Sequence, residues 1–167
     1  LMSGLTRQIT PEEYAAKVED NTITEVLHDY NVAAGDVFFL PAGRIHSIGT
    51  GCFIAEIQQT SDITYRIYDF GRVGLDGKPR ELHTELSKAA IDYTVLEDYK
   101  TAYEDVKNAE NEIVSCEYFT TSIYDLTDKA QAAVKANDSF LVVICVEGQG
   151  TLTDAAGNTV TLRQGET

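Results

Sequence analysis

Hydrophobic positions near the start of the chain recur at helical spacing. Thr10-Pro11-Glu12-Glu13 is typical of a helix start, because the Thr10 hydroxyl can accept from the Glu13 N–H while Glu13 reaches back. Proline suits the first helical position, where its missing N–H costs little. Tyr14 and Val18 then share one helix face. We predict helical structure over residues 10–30, with a second short turn that buries three apolar residues, Ile23, Val26 and Leu27.

From residue 32 onward the pattern changes to short apolar runs separated by glycine and aspartate turns, which indicates β-strands. The predicted strands are residues 37–40, 52–59, 63–70, 114–126, 140–146, 150–153 and 159–162, with a hairpin turn at 154–158. A helix is predicted over residues 82–93, with one apolar face formed by Leu82, Leu86, Ala89 and Tyr93. Residues 127–137 favour neither state. Strands in close succession predict a mainly β fold, a barrel or sandwich.

Two heptapeptides of the chain are similar to each other. Residues 31–37 and 161–167 both lead through polar and apolar positions into a glycine followed by an acidic residue. The first copy continues into a predicted strand, whereas the second ends there. A strand pattern that stops leaves backbone groups unpaired. We therefore expect the chain to be a piece of a longer protein.

Composition narrows the function classes. The chain has 167 residues, about one domain's length, and 43% hydrophobic residues, enough for a core. Its 27 acidic against 13 basic residues give a formal net charge of −14, which argues against a nucleic-acid surface. The longest apolar run, residues 140–146, is too short to span a membrane, and no signal-peptide pattern opens the chain. We expect a cytoplasmic protein whose Cys52, Cys116 and Cys145 are buried, reduced thiols.

The candidate chemistry begins in residues 35–50, where a predicted strand leads through a Pro-x-Gly turn to His46. The order of glycine, proline, glycine and histidine resembles the second short motif of the cupin superfamily, with Thr50 where asparagine is usual. The resemblance implies a small β-barrel in which His46 binds a divalent metal. Without that motif, a lone histidine near a turn more often only packs there. Residues 1–34 supply no further ligand set, so we expect the other ligands upstream of residue 1.

The residues that follow resemble type I mannose-6-phosphate isomerases of the short bacterial kind. The likeness is densest over residues 35–85 and includes Tyr-Arg-Ile-Tyr-Asp at 65–69 and Arg-Glu-Leu-His-Thr-Glu at 80–85. It implies cupin barrels of the double-stranded β-helix or jelly-roll type. It also implies a cytoplasmic, zinc-dependent isomerase, with one Zn²⁺ per catalytic domain, that interconverts mannose 6-phosphate and fructose 6-phosphate. The implied domains are the C-terminal part of a catalytic cupin (1–80), a linking helix and loop (81–112) and a truncated, metal-free cupin-like domain (113–167).

The resemblance also implies site residues. Arg66 corresponds to the catalytic arginine, Glu56 and Asp62 to acidic partners, and Arg72 to a basic residue near the substrate phosphate. Isomerisation moves a proton between C1 and C2 through an enediolate, so negative charge develops on oxygen and needs a fixed cation, a task that suits arginine. A carboxylate or a lysine must then move the proton. The sequence does not choose between the two acids, and either can instead form a strand ion pair or shape a turn.

Three other residues receive smaller roles. His83 is expected to cap or pack at a helix start rather than to react. Tyr65 and Tyr68 are expected to point to opposite faces of one strand, so at most one of them lines the pocket.

Other functions stay open at this point. A non-catalytic sugar-binding or interaction cupin is the main alternative, and an iron-dependent cupin dioxygenase is disfavoured by the pair Arg66 and Arg72. The expected ligand is a small-molecule sugar phosphate, and a homodimer is left open. The net charge of −14 repels such a ligand at long range. Screening over about 8–10 Å lets the two arginines dominate locally.

Overall fold

A computed structural model describes residues 1–61, 63–132 and 139–167. The elements follow the order β1 (Met2–Leu5), α1 (Pro11–Glu19), a short 3₁₀ helix (Ile23–Val26), β2 (Leu27–Asp29), β3 (His46–Ser47), α2 (Thr84–Ala90), β4 (Asn111–Ser115), β5 (Thr120–Ile123), β6 (Gln149–Thr153) and β7 (Thr159–Arg163). The predicted class, mainly β with short helices, is confirmed.

β1 is the central strand of a three-stranded antiparallel sheet with the order β2-β1-β3. Leu5 lies opposite Leu27 on one side, and Ser3 lies opposite His46 on the other. The sheet therefore joins the first residues of the chain directly to the strand that carries the candidate metal ligand.

The predicted start of α1 is confirmed. The Thr10 hydroxyl oxygen accepts from the Glu13 N–H at 3.1 Å, and proline occupies the first turn. The Glu13 carboxylate, however, pairs with the Arg7 guanidinium instead of reaching back to the cap. This hydrogen bond from Arg7 lowers the pKa of Glu13.

The continuous helical region predicted for residues 10–30 is wrong at its end. Asn21 has a positive φ of 59°, which breaks the helix, and the short 3₁₀ helix follows as the predicted second turn. Leu27–Asp29 then extends as β2, whose backbone groups find their hydrogen-bond partners on β1.

The buried cluster lies where α1 and the 3₁₀ helix cover the sheet. Its members are hydrophobic residues from the first part of the chain: Leu5, Ile9, Tyr14, Val18, Ile23, Val26, Leu27 and Ile45. Five of them are the residues that the helical pattern predicted to be buried, so this part of the prediction is confirmed.

Tyr99 fastens a distant segment to this cluster. Its hydroxyl accepts from the Leu5 N–H at 3.1 Å and donates to the Leu5 carbonyl oxygen at 2.8 Å. Gly4 has a φ of +70°, and a Cβ there would lie 2.2 Å from the Tyr99 ring. Only glycine lets the ring lie so close to β1.

Four predicted strands are not regular strands in the structure. Residues 52–59, 63–70 and 140–146 belong to no strand of the described ranges, and most of their hydrophobic side chains are exposed, up to 80% for Phe53 and 86% for Phe140. Residues 37–40 instead bind residue 101: the Thr101 N–H donates to the Val37 carbonyl, and its hydroxyl accepts from the Phe39 N–H. A strand pattern shows what a segment can do, whereas strand formation needs a partner.

The helix predicted over residues 82–93 is confirmed only as the shorter α2, and most of its predicted apolar face is exposed. Leu86 is 57% exposed and Leu82 is also exposed, whereas Ser87 is buried. The Ser87 hydroxyl donates to the His83 carbonyl oxygen at 2.8 Å, so its polar group is satisfied inside the helix. A small residue at this position lets α2 approach α1 closely.

The predicted hairpin of the last third is confirmed, since β6 pairs with β7 in antiparallel fashion. The strand region predicted over residues 114–126 is divided in two, and β4 pairs antiparallel with β5 in a hairpin that was not predicted. The turn after β6 is built on Asp154, whose carboxylate accepts from the Asn158 backbone N–H at 2.8 Å and the Asn158 side-chain amide at 2.7 Å. The undecided prediction for residues 127–137 falls partly on residues 133–138, which lie outside the described residues.

Two remaining sequence predictions concern membranes and thiols. Among the described residues, no helix combines the length and the apolar character needed to cross a membrane. The three cysteines are unpaired, and they are half-buried rather than buried as predicted.

Candidate active site

His46 reaches the site through a tight turn. The Arg44 N–H donates to the Pro41 carbonyl at 3.1 Å, and Gly43 adopts a φ of +84°. A Cβ at Gly43 would lie 2.5 Å from the Ala90 carbonyl oxygen, so the turn packs tightly against the end of α2. β3 then holds His46 opposite Ser3 of β1.

One nitrogen of the His46 ring is engaged in a hydrogen bond, and the other has no hydrogen-bond partner among the described residues. Nδ1 lies 3.0 Å from the Arg44 carbonyl oxygen, which can only accept, so the neutral ring carries its proton on Nδ1. The Nε2 lone pair is then available to a cation. This arrangement is the one expected of a metal-binding histidine whose second nitrogen is oriented by a backbone carbonyl.

The buried side chain of Arg44 anchors the turn that precedes His46 to the residues after α2. Its side chain is 7% exposed, its guanidinium lies 4.5 Å from the centre of the Tyr99 ring, and Nη2 is 3.8 Å from an Asp92 carboxylate oxygen. A buried arginine needs such partners, because leaving water costs it several hydrogen bonds. The segment after α2 thereby fixes the turn that precedes His46.

A small cavity of about 30 Å³ opens beside His46, with room for about one water molecule. Its wall includes Ile67, Tyr68 and Phe70. Tyr68 therefore faces His46, whereas the Tyr65 ring lies 6.0 Å from His83, as expected for side chains on opposite faces. Phe70 has a positive φ of 52°, a costly conformation for an aromatic residue that turns the chain towards Arg72.

Arg66 is fastened at its backbone and at its side chain. Its N–H donates to His83 Nδ1 at 2.9 Å, and its carbonyl accepts from the His83 N–H at 2.8 Å. Its guanidinium Nη1 donates to the Glu81 carbonyl oxygen at 3.4 Å. The catalytic candidate is thus tied to the residues just before α2.

Arg72 belongs to a charged cluster that the sequence analysis did not identify. Asp69 is 7% exposed, and its Oδ1 accepts from Arg72 Nη2 at 3.1 Å and Arg80 Nη1 at 3.4 Å. The Arg72 side chain is 64% exposed and lies over the Phe70 ring, 5.8 Å from its centre. The sequence could have predicted this cluster, since Asp69 and Arg80 both lie in the segments on which the resemblance depends. Asp69 follows Tyr-Arg-Ile-Tyr, and Arg80 is the first residue of Arg-Glu-Leu-His.

The two candidate acids are not brought into this arrangement. Glu56 is exposed, and within the described ranges it has no hydrogen bond or ion pair. Asp62 lies outside the described residues. Neither Arg66 nor Arg72 is among the described residues that line the cavity beside His46, although Arg72 covers Phe70, which does.

The described residues do not by themselves fit a bound zinc ion. Nowhere in residues 1–61, 63–132 and 139–167 do three or more histidine, cysteine, aspartate or glutamate side chains come together as a metal-ligand group. His46 offers a single free nitrogen, whereas zinc in proteins takes three or four ligands.

A larger groove of about 440 Å³ lies elsewhere, between α1 and α2. Its charged lining consists of Glu19 and Glu85, which would repel a phosphate ester. It contains none of the predicted site residues, so size alone does not mark the site.

Comparison with known proteins agrees with the sequence resemblance. A family model described as "Mannose-6-phosphate isomerase, cupin domain" matches residues 109–167. The chain is 33% identical over 145 residues to mannose-6-phosphate isomerase ManA of Bacillus subtilis (strain 168), covering 86% of this chain and 45% of ManA. It is 35% identical over 123 residues to a mannose-6-phosphate isomerase of Streptococcus mutans, covering 73% of this chain and 38% of that protein.

A solved structure gives the same result. The crystal structure of the mannose 6-phosphate isomerase from Bacillus subtilis superposes with a TM-score of 0.81 and 28% identity, over 99% of this chain and 52% of that one. The expected cupin fold is confirmed. The chain spans less than half the length of the curated relatives it matches. Over that span, the chain is similar in sequence and in fold to mannose-6-phosphate isomerases, and residues 109–167 match the family's cupin-domain model.

Proposed function

We propose that this chain forms part of an aldose–ketose isomerase that interconverts mannose 6-phosphate and fructose 6-phosphate. The observation that carries the proposal is the fixed arginine: three hydrogen bonds hold Arg66 to residues 81 and 83, within a chain related to isomerases of that name. A fixed cation is what an enediolate intermediate requires, because it stabilises the charge that develops on oxygen without the free-energy cost of reorienting solvent or a free side chain.

The proton balance assigns distinct tasks to the other groups. A base removes the C2 proton of the aldose, the C1 carbonyl oxygen becomes negative, and Arg66 stabilises that charge. The proton is then returned to C1, and the proton of the C2 hydroxyl moves to the C1 oxygen, which leaves a ketone at C2 and a hydroxyl group at C1. Arginine stays protonated at working pH, so the base must be another group. Within this chain, Glu56 and Asp62 are the candidates, and a lysine from outside it is the third.

Arg72 is proposed to bind the substrate phosphate. Its guanidinium already pairs with Asp69, yet 64% of its side chain is exposed, so one edge remains available to a second anion. Guanidinium groups bind phosphate oxygens with two parallel hydrogen bonds, which gives the site its preference for a phosphorylated sugar.

The cofactor is proposed to be Zn²⁺, with His46 Nε2 as one ligand. The orientation of the ring by the Arg44 carbonyl supports this assignment. The remaining ligands are proposed to come from outside this chain, since the described residues supply no cluster for them.

The proposed layout is a catalytic cupin part over residues 1–80, a link over 81–112 and a second, metal-free cupin-like part over 113–167. The family match at residues 109–167 and the absence of histidine after His83 in the sequence support this division. We also propose a cytoplasmic location and leave open a homodimer.

The test is turnover of mannose 6-phosphate to fructose 6-phosphate by the protein expressed from its complete gene. We expect Arg66→Ala to lower kcat about 100-fold to 1,000-fold, as loss of a charge-stabilising donor does. Arg7→Ala is the matched control, since Arg7 pairs on the surface with Glu13 of α1, and it should leave kcat unchanged. An Arg66→Ala enzyme as fast as the wild type would refute the proposal. Tight binding of the sugar phosphate without turnover in the wild type would instead identify a sugar-binding cupin.

A further inference from the structure

His83 lies directly before α2, and its side chain does not cap the helix. Its backbone occupies the cap position and accepts from the Ser87 N–H at 2.8 Å, while its side chain makes no capping hydrogen bond. The ring turns instead towards the preceding segment, where Nδ1 accepts from the Arg66 N–H at 2.9 Å. Of the two roles expected for His83, a cap or a packing residue, its side chain does not take the first.

Two hydrogen bonds join residues 66 and 83. They resemble the pair that two strands exchange, except that one backbone acceptor is replaced by a side-chain atom. The His83 N–H donates to the Arg66 carbonyl at 2.8 Å, as in a backbone ladder. The reciprocal acceptor, which would be a carbonyl oxygen in a ladder, is the imidazole Nδ1. Because buried or half-buried backbone N–H groups need a partner, the ring replaces a strand that the described part of the chain does not provide at Arg66.

The hydrogen bond specifies the state of the ring. Nδ1 accepts only when it carries no proton, so the neutral His83 ring has its proton on Nε2. A doubly protonated ring would place an N–H against the Arg66 N–H and remove the contact. The position of Arg66 along its segment therefore depends on one unprotonated ring nitrogen.

We propose that His83 is the positioning residue of Arg66, acting through Nδ1 on the backbone that carries the guanidinium. The proposal rests on the proposed function of Arg66. His83 does not touch substrate. Its ring accepts a hydrogen bond from the Arg66 backbone, and the Glu81 carbonyl accepts one from the Arg66 guanidinium. The backbone and the side chain of Arg66 are therefore both bonded to residues 81–83.

Two conservative variants separate this role from packing. In His83→Asn, the side-chain Oδ1 takes the place of Nδ1 and can accept from the Arg66 N–H. In His83→Gln, the amide lies one atom further out, where Nε2 was, and the acceptor is lost. Both variants remove the ring and any packing it provides, so they differ only in one methylene group and in the position of the acceptor that this group sets.

The experiment uses the protein expressed from its complete gene. We expect His83→Gln to lower kcat about tenfold with little change in KM, and His83→Asn to stay within about twofold of the wild type. In ¹⁵N spectra the wild-type His83 ring should show the Nε2–H tautomer. The Arg66 amide should resist hydrogen exchange in the wild type and in His83→Asn, and exchange faster in His83→Gln. Equal kcat values and equal Arg66 exchange in the two variants would overturn the proposal.

The failure of this proposal and that of the isomerase function can be told apart. If Arg66→Ala does not affect turnover, the role of Arg66 is wrong whatever the His83 variants do. If Arg66→Ala abolishes turnover while His83→Asn and His83→Gln behave alike, only the positioning role is wrong. Should His83→Ala fail to fold, the comparison of the asparagine and glutamine variants still decides.

Discussion

The first fifty residues and the last sixty differ in how they use similar antiparallel strands. In the first region, α1 and the 3₁₀ helix cover the sheet, and all eight members of the buried cluster lie between Leu5 and Ile45. In residues 109–167, Leu162 is the hydrophobic residue that the structure describes as buried, while Val160 of the same strand is 53% exposed. The difference teaches that hydrogen-bonded strands do not make a core until a second layer covers one face.

The largest effect on stability is expected from replacing one tyrosine in each region by alanine. Tyr14 of α1 is fully buried, so we expect Tyr14→Ala to lower the free energy of unfolding by about 3–5 kcal/mol. Tyr118, between β4 and β5, is 63% exposed, and Tyr118→Ala should change it by less than about 0.5 kcal/mol. Urea unfolding followed by circular dichroism measures both. Similar losses would mean that the second region is also packed.

A smaller effect compares one glycine from each region. Gly4 and Gly157 both have a positive φ, of 70° and 86°, so alanine at either costs about 1–2 kcal/mol in backbone strain. At Gly4 the new Cβ also meets the Tyr99 ring at 2.2 Å, which should add about 1–3 kcal/mol, whereas nothing lies within 4 Å at Gly157. Thermal unfolding of the two variants gives the difference. If Gly157→Ala is as damaging as Gly4→Ala, the open space around the last hairpin is contradicted.

The smallest effect concerns the pH dependence of the β6–β7 hairpin. Hydrogen bonds from the Asn158 side chain and backbone lower the pKa of Asp154 in the folded chain. The charged carboxylate therefore stabilises the turn above the pKa it has when unfolded, and this stabilisation is lost as pH falls through the lower folded value. An acid titration of the hairpin amide signals by NMR should show this loss in the wild type and not in Asp154→Asn. A hairpin that opens at the same pH in both would exclude Asp154 as its cause.

Local patterns in the sequence were enough where the deciding contacts are local. The hydrogen bond from the Glu13 N–H to Thr10 joins residues three apart, and the turn at Asp154 joins residues four apart. Both were readable because cap and turn residues act on their immediate neighbours. Which face of α2 is exposed could not be predicted from the sequence, since it depends on how α2 contacts α1 and not on the spacing of hydrophobic residues.

The same reasoning separates the predictable from the unpredictable parts of the site. The Pro-x-Gly turn before His46 is a short-range signal and was identified. The partner of residues 37–40 was missed because it lies at Thr101, 62 positions from Phe39. The contact between His83 and Arg66 spans 17 positions and uses a ring nitrogen as acceptor, for which hydrophobic patterns contain no signal.

The hydrogen bonds between Tyr99 and Leu5 also affect the timing of folding. They join residues 94 positions apart, so β1 cannot gain these partners on the ribosome until Tyr99 has been synthesised. Closing so long a loop costs entropy that grows with the logarithm of its length, and such distant contacts slow folding. We expect a nascent chain to form α1 early and to leave the backbone of Leu5 open to other partners, including chaperones, until Tyr99 arrives.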